Sequence, residues 1–308
     1  MRLKTLLGDY PVTHALRDGS VRSPAIEFDF ADVKVPNTAF KRVVRDLEFD
    51  VAELALMTFL IARAHGKPLK LLPAVLFGRF QHPYLVSVRQ LAPKDLQGRR
   101  VGIRSVSVTT VAWLRGILAD DYGVDLSRVR WVTFEDAHVA ECRDPPGFER
   151  APAGKTPLGM LLEGELDAAV LAEPLPDDKR LRPVIANPAA AAKDWERRHR
   201  ALQINHMVVV KQEVDAELTR EVFRLLAESR SRGAKDAATS PFGLEANRRN
   251  LEVAIDYAHR QGLIPKRWPV DDLFDEVTRG LALPPPPDAY EKTVPIDVKP
   301  NLDKRSSK

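Results

Sequence analysis

Residues 99–123, "RRVGIRSVSVTTVAWLRGILADDYG", hold a short apolar strand, a hydroxyl-rich junction and an amphipathic run closed by glycine. Val101 to Arg104 reads as the strand and 110–122 as the helix, with Val111, Leu114, Leu118 and Tyr122 on one face and Gly123 as the stop. Ser105, Ser107, Thr109 and Thr110 occupy the junction. Thr109 or Thr110 suits a helix cap. The serines exceed what capping needs, and a helix start with free N–H groups also attracts an anion. A capped turn and a carboxylate site are both open on these residues.

The same alternation runs onward: a strand at 130–134, a helix at 156–164 and a strand at 167–172. Strands alternating with helices indicate a parallel, helix-covered sheet. Before it come strands at 3–7, 26–33, 69–77 and 84–89, and an apolar run at 52–68 that reads as a helix beginning near Glu53. Asn37 reads as the N-cap of a helix carrying Phe40, Val43, Val44 and Leu47. After a strand at 205–211 the pattern turns to helices alone, at 215–232, 243–261 and 270–282. The expected architecture is α/β with two lobes and a cleft between them. Lobe I would comprise residues 1–88 plus 206–283 and lobe II residues 89–205, with chain crossings near 88–92 and 203–207. A proline-rich tail at 284–308 is expected to be disordered.

Composition narrows the function classes. The 308 residues are 44% hydrophobic and 29% charged, enough for a sizeable core. The net charge of +4 comes from interleaved acids and bases, which argues against nucleic acid as a partner. One cysteine, Cys142, excludes an internal disulfide and a multi-cysteine zinc site. No apolar run approaches the ~20 residues of a membrane span, so neither a membrane partner nor a location other than the cytoplasm is expected. The junction at 105–110 leaves a small anion as the expected small-molecule partner, and a homo-oligomer is open.

Several segments, in order, resemble one family. "GDYPVTHALRDGSV" (8–21), "VAELALMTFLIARAHGKP" (51–68), "FGRFQHPYLVSVR" (77–89), "DLQGRRVGI" (95–103), "VAWLRGILADDYGVD" (111–125), "GKTPLGMLLEGELDAAV" (154–170) and "INHMVVVK" (204–211) are similar to stretches of the 4,5-dihydroxyphthalate decarboxylases. The resemblance implies a type-2 periplasmic-binding-protein-like fold used as an enzyme. "DAAVLAEPLP" (167–176), with Glu173, instead resembles the hinge-side segment of nitrate, taurine and thiamine-precursor binding proteins. Two functions are therefore expected in competition. One is cofactor-independent decarboxylation of a hydroxylated aromatic acid. The other is non-catalytic binding of a small anion or aromatic nitrogen compound.

Decarboxylating a hydroxylated arene needs a proton for the ring carbon, a hydroxyl that donates electron density, and a cation for any carboxylate. Arg79 and His82 bracket Phe80, and an arginine fork with a histidine suits the clamp and the proton donor. His206 is the second acid–base candidate and Glu53 a group for a phenolic proton or ligand amine. Asp9, Tyr10, Thr13 and His14 follow the first strand and are expected at the ligand, as are Ser105, Ser107, Thr109, Thr110 and Glu173. No cofactor is required, because the phenol is the electron source. His14, His82, Glu53 and Asp9 are the residues from which a divalent metal site could be assembled, although they contain no local ligand pair. His138 reads as an ordinary loop histidine.

Overall fold

The computed structural model describes residues 1–172, 174–233 and 237–283. Its strands, in chain order, begin with β1 (Arg2–Leu6), β2 (Glu27–Phe30), β3 (Val51–Ala55) and β4 (Leu69–Gly78). Then come β5 (Leu85–Ser87), β6 (Arg100–Ile103), β7 (Arg130–Thr133), β8 (Glu149–Arg150), β9 (Ala168–Val170), β10 (Arg182–Pro183) and β11 (Ile204–Lys211). The helices are α1 (His14–Arg17), α2 (Phe40–Arg45), α3 (Leu56–Ala64), α4 (Thr109–Tyr122) and α5 (Pro157–Leu162). They continue with α6 (Pro188–His199), α7 (Ala216–Gly233), α8 (Leu244–Arg260) and α9 (Glu276–Arg279).

Two sheets form, ordered β2-β1-β3-β11-β4 and β10-β5-β9-β6-β7-β8. In the first, β1 pairs in parallel with β2 and β3, while β11 returns antiparallel between β3 and β4. In the second, β6 pairs in parallel with β7 and β9. This is the α/β, two-lobe fold that the strand–helix alternation indicates. The chain crosses to the second sheet between Gly78 and Leu85, because β5 pairs antiparallel with β9. The strand near 84–89 therefore sits in the second sheet, and the crossing precedes the expected 88–92. Of the C-terminal helices, α7 and α9 contact β4, whereas α8 packs against α3 and α4. The tail from 284 onward lies outside the described residues.

The largest departure from the sequence reading is at 51–64. Val51 to Ala55 is a central strand with every residue buried, and Ala55 (φ −63°, ψ 134°) is still extended before α3 starts. An unbroken apolar run is buried as strand or as helix, so its periodicity does not distinguish the two. Glu53 consequently projects from the middle of a sheet and not from a helix start. Asn37 is likewise no cap: it lies inside a short 3-10 turn that leads into α2. The predicted helix at 270–282 is shorter, with a 3-10 turn at Val270–Leu273 preceding α9.

The lobes are tied by polar contacts as well as by apolar packing. Trp113 on α4 donates its indole N–H to the Ile204 carbonyl at 2.9 Å. Arg45 on α2 donates to the carbonyls of His138 and Ala137 at 2.8 and 2.7 Å. Gly116 lets α4 approach α8: a Cβ there would meet ring atoms of Tyr257 at 2.0–2.5 Å. Among the described residues, no helix is long and apolar enough to cross a membrane.

Two stability predictions follow from this packing. Gly116→Ala should gain about 1 kcal/mol of helix propensity yet lose more through the clash with Tyr257, for a net loss of roughly 1–2 kcal/mol in urea denaturation. His82 lies in the turn that packs under α6, 1% exposed, and burial holds its pKa down to about 4. Between its ordinary value of ~6.5 and 4 the unfolded chain binds the extra proton, so stability must fall as pH drops through that window. The contribution is up to about 3 kcal/mol, and His82→Leu should flatten the stability–pH curve there.

Candidate functional site

The carboxyl ends of the parallel strands in both sheets point at one cavity of about 420 Å³. Open α/β sheets bind ligands at such strand ends, where loops and helix starts converge. From the first sheet come Tyr10 beyond β1, Ala55 at the end of β3, Phe77 and Arg79 around the end of β4, and Asn205 with His206 on β11. From the second come Arg104 beyond β6, the first turn of α4, and Glu135 with His138 beyond β7. Thr156 to Leu158 at the start of α5 and Val170 to Ala172 at the end of β9 and just beyond it close that side.

Glu53 organises the first wall. It is fully buried, yet its carboxylate accepts three hydrogen bonds: from the Gly8 N–H at 2.9 Å, the Tyr10 hydroxyl at 2.7 Å and His206 Nδ1 at 2.6 Å. An ionised carboxylate only accepts, so the imidazole presents Nδ1–H to it. That leaves Nε2 as the nitrogen of His206 toward the cavity, and Phe40 and Phe77 flank the ring at 5.2 and 5.7 Å. The Tyr10 hydroxyl is held protonated, its pKa pushed well up by burial and then by the Glu53 charge. Thr13 supports this arrangement from behind, donating to the Gly8 carbonyl at 2.6 Å and accepting from the Tyr10 N–H at 2.9 Å.

Two arginines, Arg79 and Arg104, and one carboxylate, Glu135, also line the cavity. Arg79 stacks over the rings of Tyr84 and Phe77, 4.1 and 5.1 Å from their centroids, and burial lowers its pKa without bringing an arginine near neutrality. Arg104 lies 3.5 Å from Glu135. The α4 N-terminus adds backbone N–H groups and the partial positive charge of the helix. Among the described residues, no three His, Cys, Asp or Glu side chains gather as a metal ligand set.

Several expected site residues lie elsewhere. His82 is not on the cavity; it is buried beside Phe80 with neither ring nitrogen bonded. Its ring is buried where the turn packs against α6, off the cavity that Arg79 lines. Asp9 and His14 pair with each other at 2.9 Å on the surface, and Thr13 serves the turn. Ser105 and Ser107 are buried off the cavity, 3.2 Å from one another. Thr109 and Thr110 do line it, but neither caps α4, whose N-cap is Val108. The Thr109 hydroxyl accepts instead from the Met57 N–H at 3.2 Å, satisfying an orphan donor in the first turn of α3. Glu173 lies outside the described residues.

Arg104, Glu135, His138, Thr156 and Asn205 line the cavity without standing out in the sequence. The signal was available for the first three, since each follows a parallel strand by a few residues, where lining residues gather. His138 is 7% exposed, and its Nδ1 lies 2.8 Å from the Thr58 hydroxyl.

No family model matches the chain. Among curated proteins it is similar to the 4,5-dihydroxyphthalate decarboxylase of Comamonas testosteroni, 28% identical over 226 residues, or 68% of each chain. It is also similar to the protein of that name from Pseudomonas putida, 29% identical over 212 residues, covering 64% of this chain and 82% of the relative. Among solved structures, the alkanesulfonate-binding protein from Xanthomonas axonopodis pv. citri bound to MOPS superposes with a TM-score of 0.59 at 14% identity, covering 89% of this chain and 98% of that one. The periplasmic aliphatic sulphonate-binding protein from Escherichia coli gives 0.56 at 12% identity, over 89% and 97%. The chain thus has the fold of the periplasmic binding proteins, and in sequence it resembles the 4,5-dihydroxyphthalate decarboxylases over about two thirds of its length.

Proposed function

We propose that the cavity decarboxylates a hydroxylated aromatic acid of the phthalate type, with His206 as the proton donor. The observation that carries this reading is the buried Glu53 carboxylate gripping both His206 Nδ1 and the Tyr10 hydroxyl at the cavity wall. A carboxylate behind an imidazole fixes its tautomer and stabilises its protonated form, which is what a general acid requires. The two relatives named for this reaction support the same chemistry.

In the proposed reaction the aromatic ring lies in the cavity lined by Phe40, Phe77 and His206. Arg79, Arg104 and the start of α4 hold its carboxylate groups. Nε2 of protonated His206 gives its proton to the ring carbon bearing the carboxylate that leaves. The hydroxyl opposite that carbon supplies the electron density that stabilises the protonated ring. The carbon–carboxylate bond then breaks, its electron pair restores the aromatic ring, and CO₂ departs. One proton is consumed per CO₂, and His206 recovers it from solvent. The chemistry draws no electrons from outside the substrate.

CO₂ release from purified protein given 4,5-dihydroxyphthalate tests the proposal. His206→Gln should lower kcat by roughly 10²–10⁴-fold with little change in substrate affinity. Arg79→Lys keeps the charge but loses the planar fork, so it should mainly raise KM. His82→Leu should turn over within about threefold of the parent, since a residue off the cavity has no proton to give. A parent that binds the aromatic acid tightly but releases no CO₂ would instead be a solute-binding protein, the other use of this fold.

A further inference from the structure

We propose that His138 is a specificity-determining residue that reads a ring hydroxyl of the aromatic ligand through Nε2. The inference rests on the reading of the cavity as a site for hydroxylated aromatic acids and deepens it. His138 lines the cavity on the loop beyond β7, and that loop is clamped by Arg45 at the carbonyls of Ala137 and His138. Its Nδ1 is engaged by Thr58 on α3 at 2.8 Å, inside the wall. Nε2 is therefore the ring nitrogen left for a ligand. Phe40 meets His138 and His206 edge-on, 5.6 and 5.2 Å from their centroids, so the two imidazoles flank one aromatic wall.

The two imidazoles differ in chemistry. His206 leans on a carboxylate through Nδ1. His138 has a neutral hydroxyl behind it, and burial, then the charges of Arg104, Lys41, His206 and Arg45, hold its pKa down to about 3. It is neutral throughout the physiological range and cannot serve as a second acid. A neutral imidazole with one nitrogen occupied offers a single hydrogen bond from the other. A ring hydroxyl, both donor and acceptor, satisfies that bond in either sense. A bare C–H at the same place displaces water from Nε2 without replacing its hydrogen bond, which costs affinity. Carboxylates have Arg79 and Arg104 as better partners. The cavity thus separates a carboxylate-holding function from a hydroxyl-reading one.

Calorimetric binding of 3,4-dihydroxybenzoate and benzoate tests the inference, because the two probes differ only in hydroxyls. The parent should bind the dihydroxy acid about tenfold more tightly. In His138→Leu the ratio should fall to about two or less, while benzoate affinity stays within roughly threefold of the parent. Thr58→Val leaves the imidazole in place but frees its Nδ1, and should lower the ratio by about threefold; it serves where the leucine variant does not fold. A parent ratio near one, or a ratio unchanged in either variant, overturns the inference. CO₂ release by the parent is read separately. Absent turnover with the ratio intact removes the decarboxylase reading and leaves hydroxyl recognition, and turnover with a ratio near one does the reverse.

Discussion

A carboxylate buried in the middle of a sheet is the constraint on which this site depends. Glu53 lies on β3, flanked by β1 and β11, with no access to water. Such a charge is tolerated only where donors surround it. Each of its three donors comes from a neighbouring element: Gly8 and Tyr10 from the turn after β1, and His206 from β11. Satisfying Glu53 therefore fixes the turn, the strand register and the imidazole together. His206 and Tyr10 are placed at the cavity by the same hydrogen bonds that make the buried charge bearable.

The second sheet supplies what the first lacks. Its strand ends bring Arg104, the start of α4 and His138 to face Tyr10 and His206. The two walls are held in register by Trp113 reaching the Ile204 carbonyl, Arg45 gripping the loop at 137–138, and Thr109 meeting the first turn of α3. Sulfonate-binding proteins share this architecture. A cleft at the strand ends suits anion binding in general, so the fold leaves the chemistry to the side chains. Here the side chains include an imidazole backed by a buried carboxylate, which anion binding alone does not need.

The architecture was legible where periodicity was clean. The strand–junction–helix pattern of 99–123 located α4 and Gly123, and the alternation after it located the parallel sheet. The apolar stretch at 51–64 was illegible for a physical reason: strand and helix bury it equally well, and only the return of β11 beside β3 decides. The site was legible in part. Arg79, Tyr10, His206 and Glu53 stand out in the sequence as functional residues, but the dyad does not, since Glu53 and His206 are 153 positions apart and no local spacing encodes their contact. His82 illustrates the opposite error. Two residues close in sequence, Arg79 and His82, suggested one loop serving one ligand, yet the turn at 82–84 carries His82 beneath α6. The hydroxyls of 105–110 split three ways: Ser105 and Ser107 pack away, Thr110 lines the cavity, and Thr109 both lines it and satisfies a donor on another helix.

The central claim is that Glu53 and His206 act as a unit in delivering the proton. Single-turnover CO₂ release from 4,5-dihydroxyphthalate, measured for Glu53→Gln, His206→Gln and the double variant, tests it most directly. Groups that act as a unit lose their function once, so the double variant should be no more than about threefold slower than His206→Gln alone. A double variant slowed by the full product of the two single effects would contradict the account, because Glu53 would then act independently of His206.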